Sequence, residues 1–170
     1  MLKLTKICEK IVLFLGNYPE KDFFSKEIAE KLDISLGGAH NSLKYLAKEK
    51  IIQQKQRGNM KFYRVNWENP LVKQIKITFV ISALSPLLKS IKNYCLDIIL
   101  FGSASRGEQT AESDIDLFIL THNPKIVKEK MTKLKGRLTI NPIIKTPNQW
   151  SELEVKEQEF YNEVKQGVKL

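Results

Sequence analysis

Phe101-Gly102-Ser103-Ala104-Ser105-Arg106-Gly107 and, a short loop later, Ser113-Asp114-Ile115-Asp116-Leu117-Phe118-Ile119-Leu120 decide how this chain is read. Ile98-Ile99-Leu100-Phe101 upstream is an apolar run of strand length. Gly102-Ser103 breaks it, and small residues with an Arg follow, so the expected order is strand, tight turn, short helix. Glycine permits a close approach of backbone to ligand, and free N–H groups where a helix begins attract phosphate. Asp114 and Asp116 then sit in a second apolar run. Side chains two apart on a strand share a face, so two carboxylates project together from an otherwise apolar strand. Placing like charges side by side is costly without a cation or a donor set. A divalent metal carrying nucleotide phosphates would meet that need, because Mg²⁺ favours one or two carboxylates plus phosphate oxygens. The bland alternative is a surface turn followed by two solvated aspartates on an edge strand, and the apolar Leu117-to-Leu120 run argues against it.

Phe101-Gly102-Ser103, Arg106-Gly107 and Ser113-Asp114-Ile115-Asp116-Leu117 together resemble the signature of the polymerase-beta-like nucleotidyltransferases, in particular their small, minimal members. That signature is a hydrophobic strand, Gly-Ser, a spacer of about ten residues and Asp-x-Asp between hydrophobic residues. The resemblance covers roughly the C-terminal half of the chain. It implies that Gly102 and Ser103 hold the β/γ-phosphates of a nucleoside triphosphate, ATP foremost, with Arg106 as a further phosphate contact. It also implies that Asp114 and Asp116 are the catalytic pair that ligates Mg²⁺. The reaction implied is transfer of a nucleotidyl group, most readily AMP, to the hydroxyl of a protein or small-molecule acceptor. One departure bears on activity. Family members carry a third carboxylate on a later strand, whereas Leu138-Thr139-Ile140-Asn141-Pro142-Ile143-Ile144 holds none. Asn141 can ligate a metal but cannot serve as a base. Asp97 is acidic, but its place relative to the pair is not readable from sequence. Enzyme and catalytically inactive nucleotide sensor therefore both stand as readings.

The 170 residues suffice for one ordinary domain or two small ones. Hydrophobic content of 42% and charged content of 28% are those of a globular protein. No uninterrupted apolar segment is expected to span a bilayer, and the N-terminus lacks the pattern of a signal peptide. The expectation is a cytoplasmic protein with no membrane partner. Cys8 and Cys95 have no paired spacing and read as reduced, largely buried thiols. The net charge is +9. Residues 1–67 hold 13 Lys and Arg against 7 Asp and Glu, a net of +6, and residues 68–170 hold 15 against 12, a net of +3. A basic excess concentrated at one end suggests a polyanion.

The N-terminal pattern gives that polyanion a candidate surface. Leu4, Ile7, Cys8, Ile11, Val12, Phe14 and Leu15 recur at helical spacing, and Gly16-Asn17-Tyr18-Pro19 ends the run. Ser25 reads as the N-cap of a short second helix to Leu32. Asp33-Ile34-Ser35 is a turn, and a third helix follows with Ala39, Leu43, Leu46 and Ala47 inward. Gly37-Gly38 should loosen its first turn. Ile51–Gln56 and Met60–Val65 around Arg57-Gly58-Asn59 read as a β-hairpin. Three helices and a hairpin resemble the winged helix-turn-helix of transcription regulators. The resemblance makes residues 35–49 a recognition helix for double-stranded DNA, presenting His40, Asn41, Lys44 and Lys48, with Lys55, Arg57 and Lys61 on the wing near phosphates. A solvated helix face used for protein contacts is the alternative.

Residues 66–70 form a junction, and an apolar-rich helix follows that Pro86 should bend or end. It holds more apolar residues than one stripe needs, which suggests a homodimer through this helix. After it, strands are expected at 95–101, 114–120 and 138–144. A short helix should run from Ser103 to about Gly107. A later one carries Ile126, Val127, Met131 and Leu134, and a last helix from Thr146-Pro147 carries Trp150, Leu153, Val155, Phe160, Tyr161 and Val164. The expected fold class is α+β: a winged helix (three helices plus β-hairpin) over 1–67, a linking helix over 68–94, and a nucleotidyltransferase-type α/β palm with a small mixed sheet over 95–170.

Overall fold

The structure, a computed structural model, describes residues 4–133 and 139–170. The expectations placed on Leu134 and Leu138 lie outside the described residues. The chain divides into two compact units, one ending at Lys76 and the other running from Ile77 to Leu170. The division falls inside one long helix, between the boundaries expected after residues 67 and 94.

The first unit contains α1 (Lys6–Gly16), β1 (Phe23–Phe24), α2 (Ser25–Leu32), α3 (Leu36–Lys48), β2 (Ile52–Arg57) and β3 (Met60–Val65). The strands form an antiparallel sheet in the order β1-β3-β2. This is a winged helix: three helices on one core with a hairpin and a short third strand. Ile11, Val12, Leu15, Ile28, Leu43, Leu46 and Ile51 are all buried in that core. At about 1.5–3 kcal/mol for each fully buried aliphatic side chain, they are the main force behind the helical arrangement.

Local chemistry sets the helix starts. The Thr5 hydroxyl accepts from the Cys8 N–H at 3.2 Å, and the Ser35 hydroxyl accepts from the Gly38 N–H at 3.1 Å. The Ser35 cap offsets the poor propensity of Gly37-Gly38, and α3 is regular from Leu36 rather than loosened there. One expectation is corrected at α2. Phe23-Phe24 is a strand, with Phe23 opposite Tyr63 and Phe24 opposite Phe62. Phe24, not Ser25, is the cap residue, and no side chain caps it. Cross-strand aromatic packing outweighs the Ser25 capping signal.

The junction is tightly bonded. Asn66 donates to the Lys50 carbonyl at 2.8 Å, and Asn69 donates to the same oxygen at 3.1 Å. The Asn69 side chain also accepts from the Leu71 N–H at 3.0 Å, which caps a helix that opens on Pro70. That helix, α4 (Pro70–Ile91), continues past Pro86, which therefore does not end it. Pro86 costs about 3 kcal/mol in a helix interior, but Leu84, Leu87 and Ile91 on either side of it are buried in one core. In the first unit, fully buried Lys76 donates to the Gly16 carbonyl at 2.8 Å and lies 5.0 Å from the Trp67 ring centre. Its charge is thus met by a helix-end carbonyl and an aromatic face.

By length and composition, Pro70–Tyr94 is also apolar enough to cross a membrane, with mean hydropathy 1.5 and 28% of the window buried. Lys73, Lys76 and Lys89 interrupt it, so it is not an uninterrupted apolar run. Val72, Val80, Leu84, Leu87 and Ile91 on one side of the helix are packed against protein.

The second unit adds β4 (Asp97–Leu100), α5 (Gly102–Ser105), β5 (Ile115–Leu120), α6 (Pro124–Lys133), β6 (Ile140–Lys145), α7 (Pro147–Lys156), α8 (Gln158–Lys165) and β7 (Val168–Lys169). The sheet order is β6-β5-β4-β7, with β5 and β6 parallel and the other pairs antiparallel, so it is mixed as expected. Ile115, Leu117 and Ile119 face the core shared with α4 and with Val127 of α6. Phe118 faces the other way, onto Trp150, Leu153, Phe160 and Val164 of α7 and α8.

Two further corrections apply here. The expected last helix is two helices that break at Glu157 (φ −135°, ψ 56°), and Val155 is 84% exposed rather than inward. β7 had no sequence signal beyond its length. It pairs with β4 because Gly167 lets the chain turn close in, where a Cβ would lie 2.5 Å from the Leu100 carbonyl oxygen.

Gly167→Ala should therefore cost about 1–3 kcal/mol, the range for overpacking. Gly37→Ala should be neutral or stabilise by up to about 1 kcal/mol, since nothing lies within 4 Å of its Cβ position and the residue is helical. Urea denaturation of the two variants beside the parent checks both signs.

Candidate functional site

Backbone pairing between β4 and β5 builds the site. The ladder ends with Leu100 opposite Leu117. One step further, the Phe101 N–H donates to the Asp116 carbonyl at 3.1 Å. The chain then turns at Gly102, whose φ of +67° favours glycine. A Cβ on Gly102 would lie 2.6 Å from Asp116 Oδ2 and 3.4 Å from its Cγ. The Asp116 carboxylate is therefore pressed against the bare backbone of the Gly-Ser turn.

The other side of Asp116 is occupied as well. Parallel pairing puts Asn141 of β6 opposite Asp116. Asn141 Nδ2 donates to Asp116 Oδ1 at 2.9 Å. Asp114 is exposed and lies one residue before β5, where strand alternation gives it the same face as half-buried Asp116. Together with Phe118 they belong to the face that α7 and α8 cover further along.

The loop after the turn is pinned locally. Ser105 Oγ donates to the Gly102 carbonyl at 2.8 Å, and the Glu108 N–H donates to the Ser103 carbonyl at 2.9 Å. Gly107 takes φ +69°. The Ser113 hydroxyl accepts from the Thr110 N–H at 2.9 Å just before the acidic pair. Neither Thr110 nor Ser113 had an expected role, and their spacing in a polar loop is the only sequence signal for one.

Arg106 is exposed and placed between two acids. Its Nε lies 3.1 Å from Glu108 Oε2 and its Nη1 lies 3.6 Å from Glu163 Oε1. Surface pairs of this kind are worth about 0–1 kcal/mol, so a phosphate can compete for the guanidinium. Asp97 is not part of the site. It sits at the far end of the ladder, opposite Leu120, and pairs with Lys169. Among the described residues, no group of three His, Cys, Asp or Glu side chains is close enough together to hold a metal ion. The site brings together two carboxylates, a neutral amide and a glycine turn. Cys8 and Cys95 are both free, and the Cys95 thiol donates to the Ile91 carbonyl at 3.2 Å while burial pushes its pKa up.

The first unit presents a second candidate surface. His40, Asn41, Lys44 and Lys48 all lie on the exposed face of α3, opposite buried Ala39, Leu43 and Leu46. His40 Nε2 is 2.8 Å from Ser25 Oγ, which ties α3 to the start of α2. The hairpin residues are divided. Lys55 pairs with Phe62, and Arg57 stacks 5.1 Å above the same ring and bonds to Asp22 at 2.5 Å. Lys61 alternates to the opposite face. Asp22 was missed because it lies 35 residues from Arg57 in sequence.

The nucleotidyltransferase domain family matches residues 81–169. No curated protein matches the chain. Among solved structures, a possible transcriptional regulator of Methanosarcina mazei Go1 aligns at TM-score 0.38 and 19% identity, over 53% of this chain and 78% of that one. A homodimeric winged helix-turn-helix DNA-binding domain from Mycobacterium bovis aligns at TM-score 0.39 and 16% identity, over 47% and 70%. A mutant of Lactococcus lactis ZitR in complex with DNA aligns at 0.43 and 24%, over 55% of this chain and 64% of that one. Scores this low leave the winged-helix assignment resting on the chain's own helices and hairpin. The family match spans more than half of the 170 residues, and the chain belongs to the nucleotidyltransferase domain family.

Proposed function

We propose that this protein is a cytoplasmic DNA-binding regulator whose C-terminal domain binds a nucleoside triphosphate, ATP foremost, together with Mg²⁺. The observation that carries the nucleotide reading is the contact of Asp116 with the backbone of Gly102. A carboxylate and a phosphate-type glycine turn are held side by side, with Asp114 next to them. That donor set suits Mg²⁺, a hard cation that takes few carboxylates and completes its shell with water and phosphate oxygens. Asp114 and Asp116 would hold it, and the bound ion would offset the phosphate charge. Backbone N–H groups of the Gly102-Ser103 turn and the Arg106 guanidinium would orient the β/γ-phosphates.

The DNA reading is supported by the exposed, basic face of α3 on a winged helix. Lys44 and Lys48 are positioned to neutralise phosphates, and His40 and Asn41 to meet base edges. Exposed Leu71 and Phe79 on α4 support a second copy of the chain as a partner. A pure monomer by sedimentation at high concentration would remove that part.

Transfer of AMP to an acceptor hydroxyl is a second reading, favoured by the presence of both aspartates beside the Gly-Ser turn. Incubation with Mg²⁺, ATP labelled at the α-phosphate and cell lysate tests it. Label that is lost with Asp114→Asn/Asp116→Asn establishes a transferase. Saturable ATP binding without label supports the regulator that senses nucleotide.

Three outcomes are expected. Asp114→Asn with Asp116→Asn abolishes Mg²⁺-dependent ATP binding in calorimetry and leaves DNA affinity unchanged; retained ATP binding would refute the assignment of the pair. Gly102→Ala displaces the Asp116 carboxylate and weakens Mg²⁺-ATP by about tenfold or more, as perturbing a ligand's support does. Lys44→Ala and Lys48→Ala each weaken DNA binding and lower the slope of log K against log salt by about one, read by fluorescence anisotropy across a salt series.

A further inference from the structure

We propose that Asn141 is a positioning residue that sets the cation count of this site: one divalent cation per bound nucleotide, not two. The proposal rests on the nucleotide-binding reading above and deepens it. Parallel register brings Asn141 directly beside Asp116. The amide gives one of its two N–H donors to Asp116 Oδ1 at 2.9 Å. On the other side, Oδ2 lies where a Gly102 Cβ would be only 2.6 Å away. The carboxylate is clamped between an amide and a backbone turn, and its rotation is restricted from both sides.

This clamp has a consequence for charge. Two-metal sites hold their ions about 3.5–4 Å apart and need carboxylate oxygens shared between them. Here one oxygen of the better-buried aspartate already accepts from a neutral donor. Among the described residues, no third acid stands near enough to complete a cluster. The bond from Asn141 takes up one lone pair of Oδ1 and fixes the direction of the other, and the oxygens of Asp114 and Asp116 suffice for one hard cation whose other positions are water and phosphate. Asn141 also does for Asp116 what an outer partner does for a metal ligand: it fixes the orientation before the ion arrives. Such a site retains a nucleotide and, with both aspartates engaged on the cation, leaves no free carboxylate to take a proton from an acceptor hydroxyl. The nucleotide then acts on the protein as an effector more than as a substrate.

The test counts Mn²⁺ by electron paramagnetic resonance on the full chain, with a non-hydrolysable ATP analogue bridged by methylene between the α- and β-phosphates. The parent protein should bind one Mn²⁺ per chain with the analogue. Asn141→Asp puts a second carboxylate beside Asp116 and should bind two. Its melting temperature should fall in chelator and recover with Mn²⁺, because like charges at this distance need a cation. Asn141→Ala should keep one Mn²⁺ and bind it about tenfold or more weakly with the analogue. Two ions in the parent would overturn the inference and leave the nucleotide reading intact. So would an unchanged affinity in Asn141→Ala, which stands even if Asn141→Asp fails to fold. A folded Asn141→Asp that still binds one ion would also overturn it. No analogue binding by the parent would remove the nucleotide reading itself, and this inference with it.

Discussion

A carboxylate pressed against a glycine is the constraint on which the C-terminal unit turns. Asp116 can sit where it does only because Gly102 has no side chain and adopts φ +67°. The Phe101 N–H to Asp116 carbonyl bond extends the β4–β5 ladder by one step and delivers the Gly-Ser turn to that carboxylate. The remaining sheet serves the same placement. Ile115, Leu117 and Ile119 are locked into the core on one face, and Phe118 into the aromatic cluster on the other. A one-residue slip would turn the acids into the core and the apolar residues to solvent, so burial of the neighbours fixes the acids' direction.

At the position of the expected third acid, the neighbouring β5–β6 pair supplies an amide instead. Asn141 sits directly opposite Asp116 and meets it with a donor. A hydrogen bond to a charged acceptor is worth about 1.5–3 kcal/mol, which lessens the cost of holding that carboxylate with no cation nearby. A carboxylate at position 141 would instead add repulsion that only a bound ion relieves. The amide thus favours a site that is stable when empty.

In the N-terminal unit, the apolar core and the charged face are separate products of one helix. Ala39, Leu43 and Leu46 drive α3 into the core, and the helical period alone then leaves His40, Asn41, Lys44 and Lys48 outward. The wing is less free than its composition suggests. Arg57 is occupied by Asp22 and the Phe62 ring, and Lys61 faces away from Lys55. Of the three wing cations, Arg57 is therefore the one already engaged within the fold.

Periodicity and motif spacing located the three N-terminal helices, the hairpin, the Gly-Ser turn and the Asp-x-Asp strand, and resemblance to known families supplied the winged helix and the mixed sheet. The former are local signals: apolar residues at period two or 3.6, glycine at a turn, acids two apart. The family resemblance drew attention to Asn141, because a third acid was expected on its strand. Local signals misled at Ser25, where the Phe24–Phe62 strand pairing sets the helix start, and at Val155, which lies exposed just before the break at Glu157. Only the tertiary structure decided that Asn141 bonds Asp116, that Arg106 lies between Glu108 and Glu163, that Asp97 is spent on Lys169, and that β7 closes the sheet. Most of these join residues far apart in the chain. Their pairing depends on strand register and on backbone approach at Gly102 and Gly167, which no window of adjacent residues encodes.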